Sequence, residues 1–199
     1  LGTGLVHGFI RSSPSALSPD IQYFFMHASY ANAAVRALDK KPGMTLGVTG
    51  LQPTSRGSIH AQSADMLTQP AICPNFLATT EDRVCLINGM KIARDLMKQP
   101  AIAKYIVSEM NPGQEIQSDA DWLHFARENG QTIYHPIGTC RMGSDDQAVV
   151  DPRLRVKGIQ GLRVVDASVF PSMVSGNTQG AVMAVAERAC DLIMEDERG

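Results

Sequence analysis

The chain has 199 residues, of which 44% are hydrophobic and 19% are charged, and its formal net charge is −2. This composition supports a folded core and excludes an intrinsically disordered chain. The near-neutral charge gives no reason to expect nucleic acid or an anionic membrane as a partner. No apolar run approaches the roughly 20 residues that a membrane span needs.

The four cysteines are widely separated and form no CxxC pair. A zinc site needs ligands at close spacing, so no metal is expected. Four cysteines allow three disulfide pairings, and the sequence favours none of them. No signal peptide is visible, although the chain starts at Leu1 rather than at Met. Reduced thiols in a cytoplasmic protein are therefore expected.

The first sixty residues predict short strands separated by turns. Segments 5–10, 21–26 and 44–51 are apolar or aromatic, and another strand is predicted near 56–60. Residues 12–15 and 40–43 between them are rich in Ser, Lys, Pro and Gly, which is typical of turns. This spacing predicts an antiparallel sheet rather than parallel strands joined by helices.

A helix is predicted after Thr79, because Asp82 follows three residues later in a pattern like a capping box. Pro100 is predicted to stop it. Its apolar residues recur at steps of 4, 3 and 4, namely Leu86, Met90, Ala93 and Met97.

A second helix is predicted from Asp119 to about Asn129, with Ser118 as its N-cap and Gly130 as its stop. Its predicted buried side consists of Trp122, Phe125 and Ala126.

The last segment predicts a different local structure. Residues 162–165 read as a short buried strand ending in Asp166, and a long helix is predicted from about Thr178 to Met194. The face predicted to be buried on that helix comprises Val182, Ala186, Ala189 and Ile193. Together with the antiparallel first part, this indicates two structural units.

His135 is the first candidate functional residue, because histidine is the usual proton acceptor near neutral pH. Pro136 disfavours helical geometry at the histidine, which predicts an extended backbone, and Gly138 lets the chain bend close to a bulky group. The alternative interpretation is a core histidine bonded to a backbone carbonyl.

Asn177 precedes the predicted final helix, where it could be an N-cap or could bond a substrate oxygen. The backbone N–H groups of Thr178, Gln179 and Gly180 would then face an electron-rich or anionic group.

Asp166 ends the predicted strand, at the edge where open α/β sheets bind ligands. It could bond a ribityl or ribose hydroxyl, and the N–H of Ala167 could reach a phosphate. The alternative for Asp166 is an ordinary turn aspartate.

These residues stand in three glycine-rich frames, and other landmarks precede them. The frames are Tyr134-His135-Pro136-Ile137-Gly138, Gly161-Leu162-Arg163-Val164-Val165-Asp166-Ala167-Ser168 and Ser175-Gly176-Asn177-Thr178-Gln179-Gly180. The earlier landmarks are Gly8-Phe9, Asp20-Ile21-Gln22-Tyr23-Phe24-Phe25, Leu51-Gln52-Pro53-Thr54-Ser55-Arg56-Gly57 and Pro74-Asn75-Phe76-Leu77. Over nearly all of its length the chain resembles the C-terminal part of glucose-methanol-choline (GMC) flavoprotein oxidoreductases.

The resemblance implies an α+β fold. Residues 1–144 would be an antiparallel-sheet substrate domain flanked by helices and carrying the catalytic histidine. Residues 145–199 would be the strand-loop-helix end of a Rossmann-like FAD domain. Family members begin with a Rossmann part whose glycine-rich turn holds FAD, and no GxGxxG follows a strand here. The missing N-terminal FAD-binding domain is thus an expected partner, and the isolated chain is expected to bind FAD weakly or not at all and to be inactive.

The resemblance also implies roles for individual residues. His135 matches the active-site histidine, and Asn177 matches its partner, which is histidine in some members. The residues implied to contact FAD are Asp166, Ala167, Asn177, Thr178 and Gln179. Tyr134 and Phe24 would line the substrate cavity. Phe24 stands where choline-type members often carry histidine, which favours an apolar cavity over a choline site.

The implied function is oxidation of an alcohol to an aldehyde by a choline-type dehydrogenase or oxidase. Hydride would pass to flavin N5, with His135 as the base and Asn177 as its hydrogen-bond partner. Two alternatives remain open, namely a non-catalytic substrate or interaction domain and a hydroxynitrile lyase-like member of the family.

Overall fold

The computed structural model describes residues 4, 6–32 and 37–198, without the side chain of Asn32. The described strands are β1 Val6–Ile10, β2 Ile21–Met26, β3 Tyr30–Asn32, β4 Ala37–Leu38, β5 Thr45–Gly50, β6 Ser58–His60 and β7 Ala71–Cys73. The helices are α1 Thr80–Met97, α2 Pro100–Ala103, α3 Asp119–Asn129 and α4 Gln179–Arg198, with a 3₁₀ turn at Ala167–Val169. None of the helices in this described part combines the length and apolarity that crossing a membrane requires.

The chain forms two compact units. The first comprises Leu1–Ser55 and Leu77–Thr132, and the second comprises Arg56–Phe76 and Ile133–Gly199. His135 thus shares a unit with the C-terminal segment. The resemblance implied a boundary between residues 144 and 145, which would separate two domains of a whole enzyme. This boundary stays a prediction, and so does the Rossmann-like nature of the C-terminal part.

The first unit is built on an antiparallel sheet in the order β1-β2-β5, as the spacing of the apolar segments predicts. Helix α1 packs on this sheet at Gly89, where a Cβ would lie 2.7 Å from Cδ1 of Ile21. The hydroxyl of buried Tyr23 donates to the carbonyl of Gly89 over 2.8 Å. Burial raises the pKa of Tyr23 to about 12, so the hydroxyl stays a donor.

The two predicted helices of this unit are confirmed, together with their caps. The Thr79 side chain accepts from the Asp82 N–H, and Ser118 and Asp121 form a full capping box at α3. Helix α1 ends at Met97, and Pro100 begins α2, since proline is tolerated in the first turn of a helix.

The core of the first unit between α1 and α3 surrounds Trp122. Buried Ile87, Met90 and Ala126 pack with it, and the Arg94 guanidinium lies 4.2 Å from its ring centroid. Arg94 also donates to Glu109 and to backbone carbonyls, so its charge is paired as well as stacked.

The second unit has a core made mostly by loops and one helix. Its buried members are Val150, Leu154, Val169, Phe170 and Ala189. Single β-bridges join Met142 to Val150, Val150 to Val156 and Arg155 to Arg163. The predicted strand near 56–60 is confirmed as β6, which pairs with β7 in an exposed hairpin.

Two predictions for this unit are wrong. Residues 162–165 make a single bridge rather than a buried strand, and Leu162 is 48% exposed. Left-handed Gly158 and Gly161 lie in the turn that brings this segment back against residues 154–156, where Val156 bonds Leu162 and Val164 bonds Leu154 through the backbone.

Helix α4 buries a face rotated from the predicted one. Val182 and Ala189 lie on the core side as predicted, but Ile193 is 40% exposed and Leu192 is buried instead. The helix carries Ala and Val around much of its circumference, so the spacing of its apolar residues defines the buried face only weakly.

Candidate functional site

The candidate site lies in the second unit, where the segment around His135 meets the start of α4. The Asn177 Nδ2 atom lies 3.0 Å from His135 Nε2, and the Thr178 Oγ1 atom lies 3.2 Å from His135 Nδ1. Each ring nitrogen therefore has one hydrogen-bond partner, although His135 is 42 and 43 positions away from these two residues in the sequence.

Backbone geometry turns the histidine toward that helix start. Tyr134 has φ of 63°, a left-handed conformation that is uncommon for a large aromatic residue, and Gly138 has φ of 84°. A Cβ on Gly138 would lie 3.4 Å from the carbonyl oxygen of Phe170, so this bend packs against the core. His135 lies outside helices and strands, in agreement with the effect expected of Pro136.

The start of α4 presents two adjacent side chains to the ring. The helix begins at Gln179, and the carbonyl of Thr178 accepts from the Val182 N–H over 2.9 Å, so Thr178 occupies the N-cap position. The alternative role of Asn177 as N-cap therefore does not apply. Asn177 is exposed and Thr178 is 7% exposed, so the ring has one partner open to solvent and one buried.

The contact of the Thr178 side chain with His135 is the feature of this site that sequence reasoning missed. The sequence assigned Thr178 a cofactor contact through its backbone, yet its hydroxyl bonds the imidazole. No local pattern signals this contact, because an N-cap hydroxyl normally accepts from its own helix.

Asp166 lies at a different place from the one predicted. It caps the 3₁₀ turn at Ala167–Val169 instead of ending a strand, and its carboxylate accepts from the Ser168 N–H over 2.7 Å. Hydrogen bonds from the Ser168 side chain and backbone hold the pKa of Asp166 below its usual value. The exposed carboxylate therefore stays ionised and can accept from hydroxyl groups.

The loop and helix start around Asn177 leave room for a large group. A Cβ on Gly176 or on Gly180 would meet no atom within 4 Å. The first backbone N–H groups of a helix have no partner within it, and they favour an electron-rich or anionic group. Exposed Gln179 lies in this turn, whereas Ala167 is half-buried against the core. The residues present thus fit a bulky cofactor that carries negative charge.

The two residues expected to line a substrate cavity belong to different units. Tyr134, in the second unit, is 62% exposed. Phe24, in the first unit, is half-buried in β2, with its ring edge-on to His7 at 4.8 Å between centroids. Their cavity-lining roles stay predictions.

Comparisons with known proteins bear on this arrangement. A family model described as GMC oxidoreductase matches residues 53–186. An alcohol dehydrogenase (acceptor) of Pseudomonas putida is 41% identical over 187 residues, which is 94% of this chain and 34% of that protein. An oxygen-dependent choline dehydrogenase of Klebsiella pneumoniae is 39% identical, over 94% of this chain and 33% of its own length. The chain thus spans about a third of the length of these curated relatives.

Solved structures show the same likeness. Pyridoxine 4-oxidase from Mesorbium loti matches with a TM-score of 0.85 and 29% identity, over 94% of this chain and 37% of that one. Formate oxidase from Aspergillus oryzae RIB40, in a structure concerned with FAD modification, matches with a TM-score of 0.81 and 30% identity. That match covers 92% of this chain and 32% of the formate oxidase chain.

Proposed function

Because the chain belongs to the GMC oxidoreductase family, we propose that it forms the catalytic end of a longer enzyme that oxidises an alcohol to an aldehyde. GMC oxidoreductases are FAD-dependent flavoenzymes, and the chain is an oxidoreductase of the alcohol and choline dehydrogenase type. The observation that carries the proposal is the hydrogen bond between Asn177 and His135 Nε2 at the open side of the ring.

His135 Nε2 is the proposed proton acceptor. An amide nitrogen can only donate, so the contact with Asn177 Nδ2 marks Nε2 as a lone pair directed to the open side. An alcohol hydroxyl entering there would give its proton to Nε2, and Asn177 would donate to the alcohol oxygen instead. Once Nε2 is protonated, it and the Asn177 amide are both donors and cannot bond each other. The proton transfer therefore moves the Asn177 hydrogen bond to the substrate oxygen.

The helix start and Asp166 are the proposed cofactor contacts within this chain. The N–H groups of Thr178 and Gln179 would face the electron-rich edge of the flavin, while Asp166 would accept from hydroxyls and the Ala167 N–H would bond a phosphate. When bound, FAD supplies the acceptor for the hydride that leaves the carbinol carbon.

The test uses the full-length enzyme with FAD bound. We expect His135→Ala to slow bleaching of the flavin absorbance by alcohol about 10²–10⁴-fold, the usual contribution of a general base, while FAD stays bound. His124→Ala, at an exposed histidine of α3, is the matched control and should bleach at the normal rate. A normal rate in His135→Ala would remove the base assignment.

A second test concerns the isolated chain. Since it spans about a third of its curated relatives, we expect it to retain FAD weakly or not at all after purification and to reduce no dye in the presence of alcohol. Stoichiometric FAD in the purified chain would contradict this expectation.

A further inference from the structure

The segment that carries the candidate base is held by the 3₁₀ turn at Ala167–Val169. The Cys140 N–H donates to the Ser168 carbonyl over 3.0 Å, and the Met142 N–H donates to the Val169 carbonyl over 2.8 Å. A backbone N–H can only donate and a carbonyl can only accept, so the direction of both bonds is fixed. The turn therefore sets the path of the chain that follows the histidine.

The two ends of this turn are held in different ways. At the near end the Asp166 carboxylate accepts from the Ser168 N–H over 2.7 Å, and the Asp166 carbonyl accepts from the Val169 N–H over 3.2 Å. At the far end Val169 is fully buried and Phe170 is 5% exposed, so the core holds them. The exposed near end therefore depends on Asp166.

Asp166 can hold the turn and contact a ligand at the same time. An ionised carboxylate offers about four acceptor positions on its two oxygens. Bonds from Ser168 occupy only part of them. Because the carboxylate is exposed, the remaining positions can accept from a hydroxyl group of the cofactor. Such a contact would immobilise the carboxylate, and through it the turn and the segment that the turn holds.

We propose that Asp166 is a positioning residue for His135, and that cofactor binding at Asp166 orders the segment that carries the base. This inference rests on the proposed function, because it takes His135 to be the base. Asp166 acts through the turn and through the two backbone bonds from Cys140 and Met142. Since linkage is reciprocal, an ordered base segment also favours binding of the cofactor.

Amide hydrogen exchange measures the ordering directly. Full-length enzyme is compared with FAD removed and with FAD bound. In the native enzyme we expect FAD to slow exchange of the Cys140 and Met142 amides about tenfold, the effect of one net hydrogen bond. In Asp166→Ala without FAD, both amides should exchange about tenfold faster than in the native enzyme without FAD, and adding FAD should slow them far less.

Two further variants show whether the effect belongs to the cap of the turn. Asp166→Asn keeps an oxygen that can accept from the Ser168 N–H, so it should retain most of the protection of both amides without FAD. Asp146→Ala removes an exposed carboxylate from the same unit, and both amides should exchange as in the native enzyme.

The Val156 amide is the internal control, because it bonds the Leu162 carbonyl and not the turn. Its exchange should be the same in every variant. Unchanged exchange of Cys140 and Met142 in Asp166→Ala would overturn the proposal, and so would an equal increase at Val156. The native enzyme is a test without any substitution, since equal exchange of the two amides with and without FAD would overturn the proposal as well.

The rate of flavin reduction shows whether the ordered segment matters for the base. With saturating FAD, Asp166→Ala should slow reduction by saturating alcohol about tenfold while the KM for alcohol changes little, because a displaced base affects the chemical step. Asp166→Asn should reduce flavin faster than Asp166→Ala. Equal rates in the two variants would show that the cap of the turn does not position the base.

The outcomes separate this inference from the function it rests on. If His135→Ala reduces flavin normally while exchange still follows Asp166, the base assignment fails and the link between Asp166 and the segment stands. If His135→Ala abolishes reduction while exchange ignores Asp166, the function stands and this inference fails.

Discussion

The two units of the molecule are stabilised in different ways. In the first unit, a regular sheet and two long helices bury side chains around Ile21 and Trp122. In the second unit, single β-bridges and left-handed residues fix long loops against one helix, and the candidate site lies there. The first unit should therefore depend on side-chain volume, and the second on backbone conformation.

The largest expected effect tests side-chain burial in the first unit. Trp122 is 2% exposed, and Trp122→Ala should lower the free energy of unfolding by about 3–5 kcal/mol, because it leaves a cavity and removes the surface under Arg94. Denaturant unfolding of the full-length protein, followed by circular dichroism, measures the change. His124→Ala on the exposed side of α3 is the control and should cost little.

The next effect tests backbone conformation in the second unit. Gly138 has φ of 84°, so Gly138→Ala should lower the free energy of unfolding by about 1–2 kcal/mol from left-handed strain. Gly50→Ala is the matched control in the first unit, since its Cβ would meet nothing within 4 Å and its φ is ordinary. If both alanines are tolerated equally, the two units do not differ in the way proposed.

A smaller effect tests the cap of α1. Thr79→Ala removes the oxygen that accepts from the Asp82 N–H and should cost about 1 kcal/mol of unfolding free energy. Thr79→Ser keeps a hydroxyl and should retain most of this stability. Thr80→Ala, at the exposed neighbouring residue, should have no comparable effect. Hydrogen exchange of the first amides of α1 would show whether the loss is local.

The smallest effect is a pH dependence in the first unit. Burial raises the pKa of Asp82, but hydrogen bonds from the Ser55 hydroxyl, the N–H groups of Thr54 and Ser55, and the Thr54 hydroxyl outweigh it, so the pKa lies below its usual value. A lowered carboxyl pKa stabilises the fold above the unfolded pKa, and this stability is lost as pH falls below about 4.

Thermal unfolding of the full-length protein at several pH values measures this dependence. Asp82→Asn should lower stability at neutral pH and flatten the loss in acid. Glu81→Gln, at the exposed neighbouring carboxyl, is the control. An unchanged acid profile in Asp82→Asn would contradict the prediction.

The elements of the first unit could be predicted because their signals are local. Thr79 with Asp82 marks the start of α1, and Ser118 and Gly130 mark the start and the end of α3. Short apolar or aromatic segments separated by turns likewise predicted β1, β2 and β5 and their antiparallel pairing. Such patterns need no knowledge of distant contacts.

The second unit was harder to predict because its order depends on distant contacts. An apolar run at 162–165 suits a strand, but its pairing is limited to one bridge, from Arg163 to Arg155 across the turn that holds left-handed Gly158 and Gly161. His135 and Asn177 could be identified as candidates, and the structure brings them into contact, whereas their roles stay predictions. The Thr178 hydroxyl could not, since its contact with the ring exists only after the loop folds against α4.

Helix α4 joins two very different environments. At its far end Glu195 and Asp196 bind Arg153, and Asp196 also binds Arg163, in ion pairs that are partly open to water. Its 20 residues span roughly 30 Å, and buried Ala189 and Leu192 lie between those ion pairs and the imidazole. Dissolved salt should therefore loosen the exposed end of α4 first, since screening weakens attractions between surface charges. Fraying from that end should stop at buried Leu192 and Ala189, before it reaches Thr178.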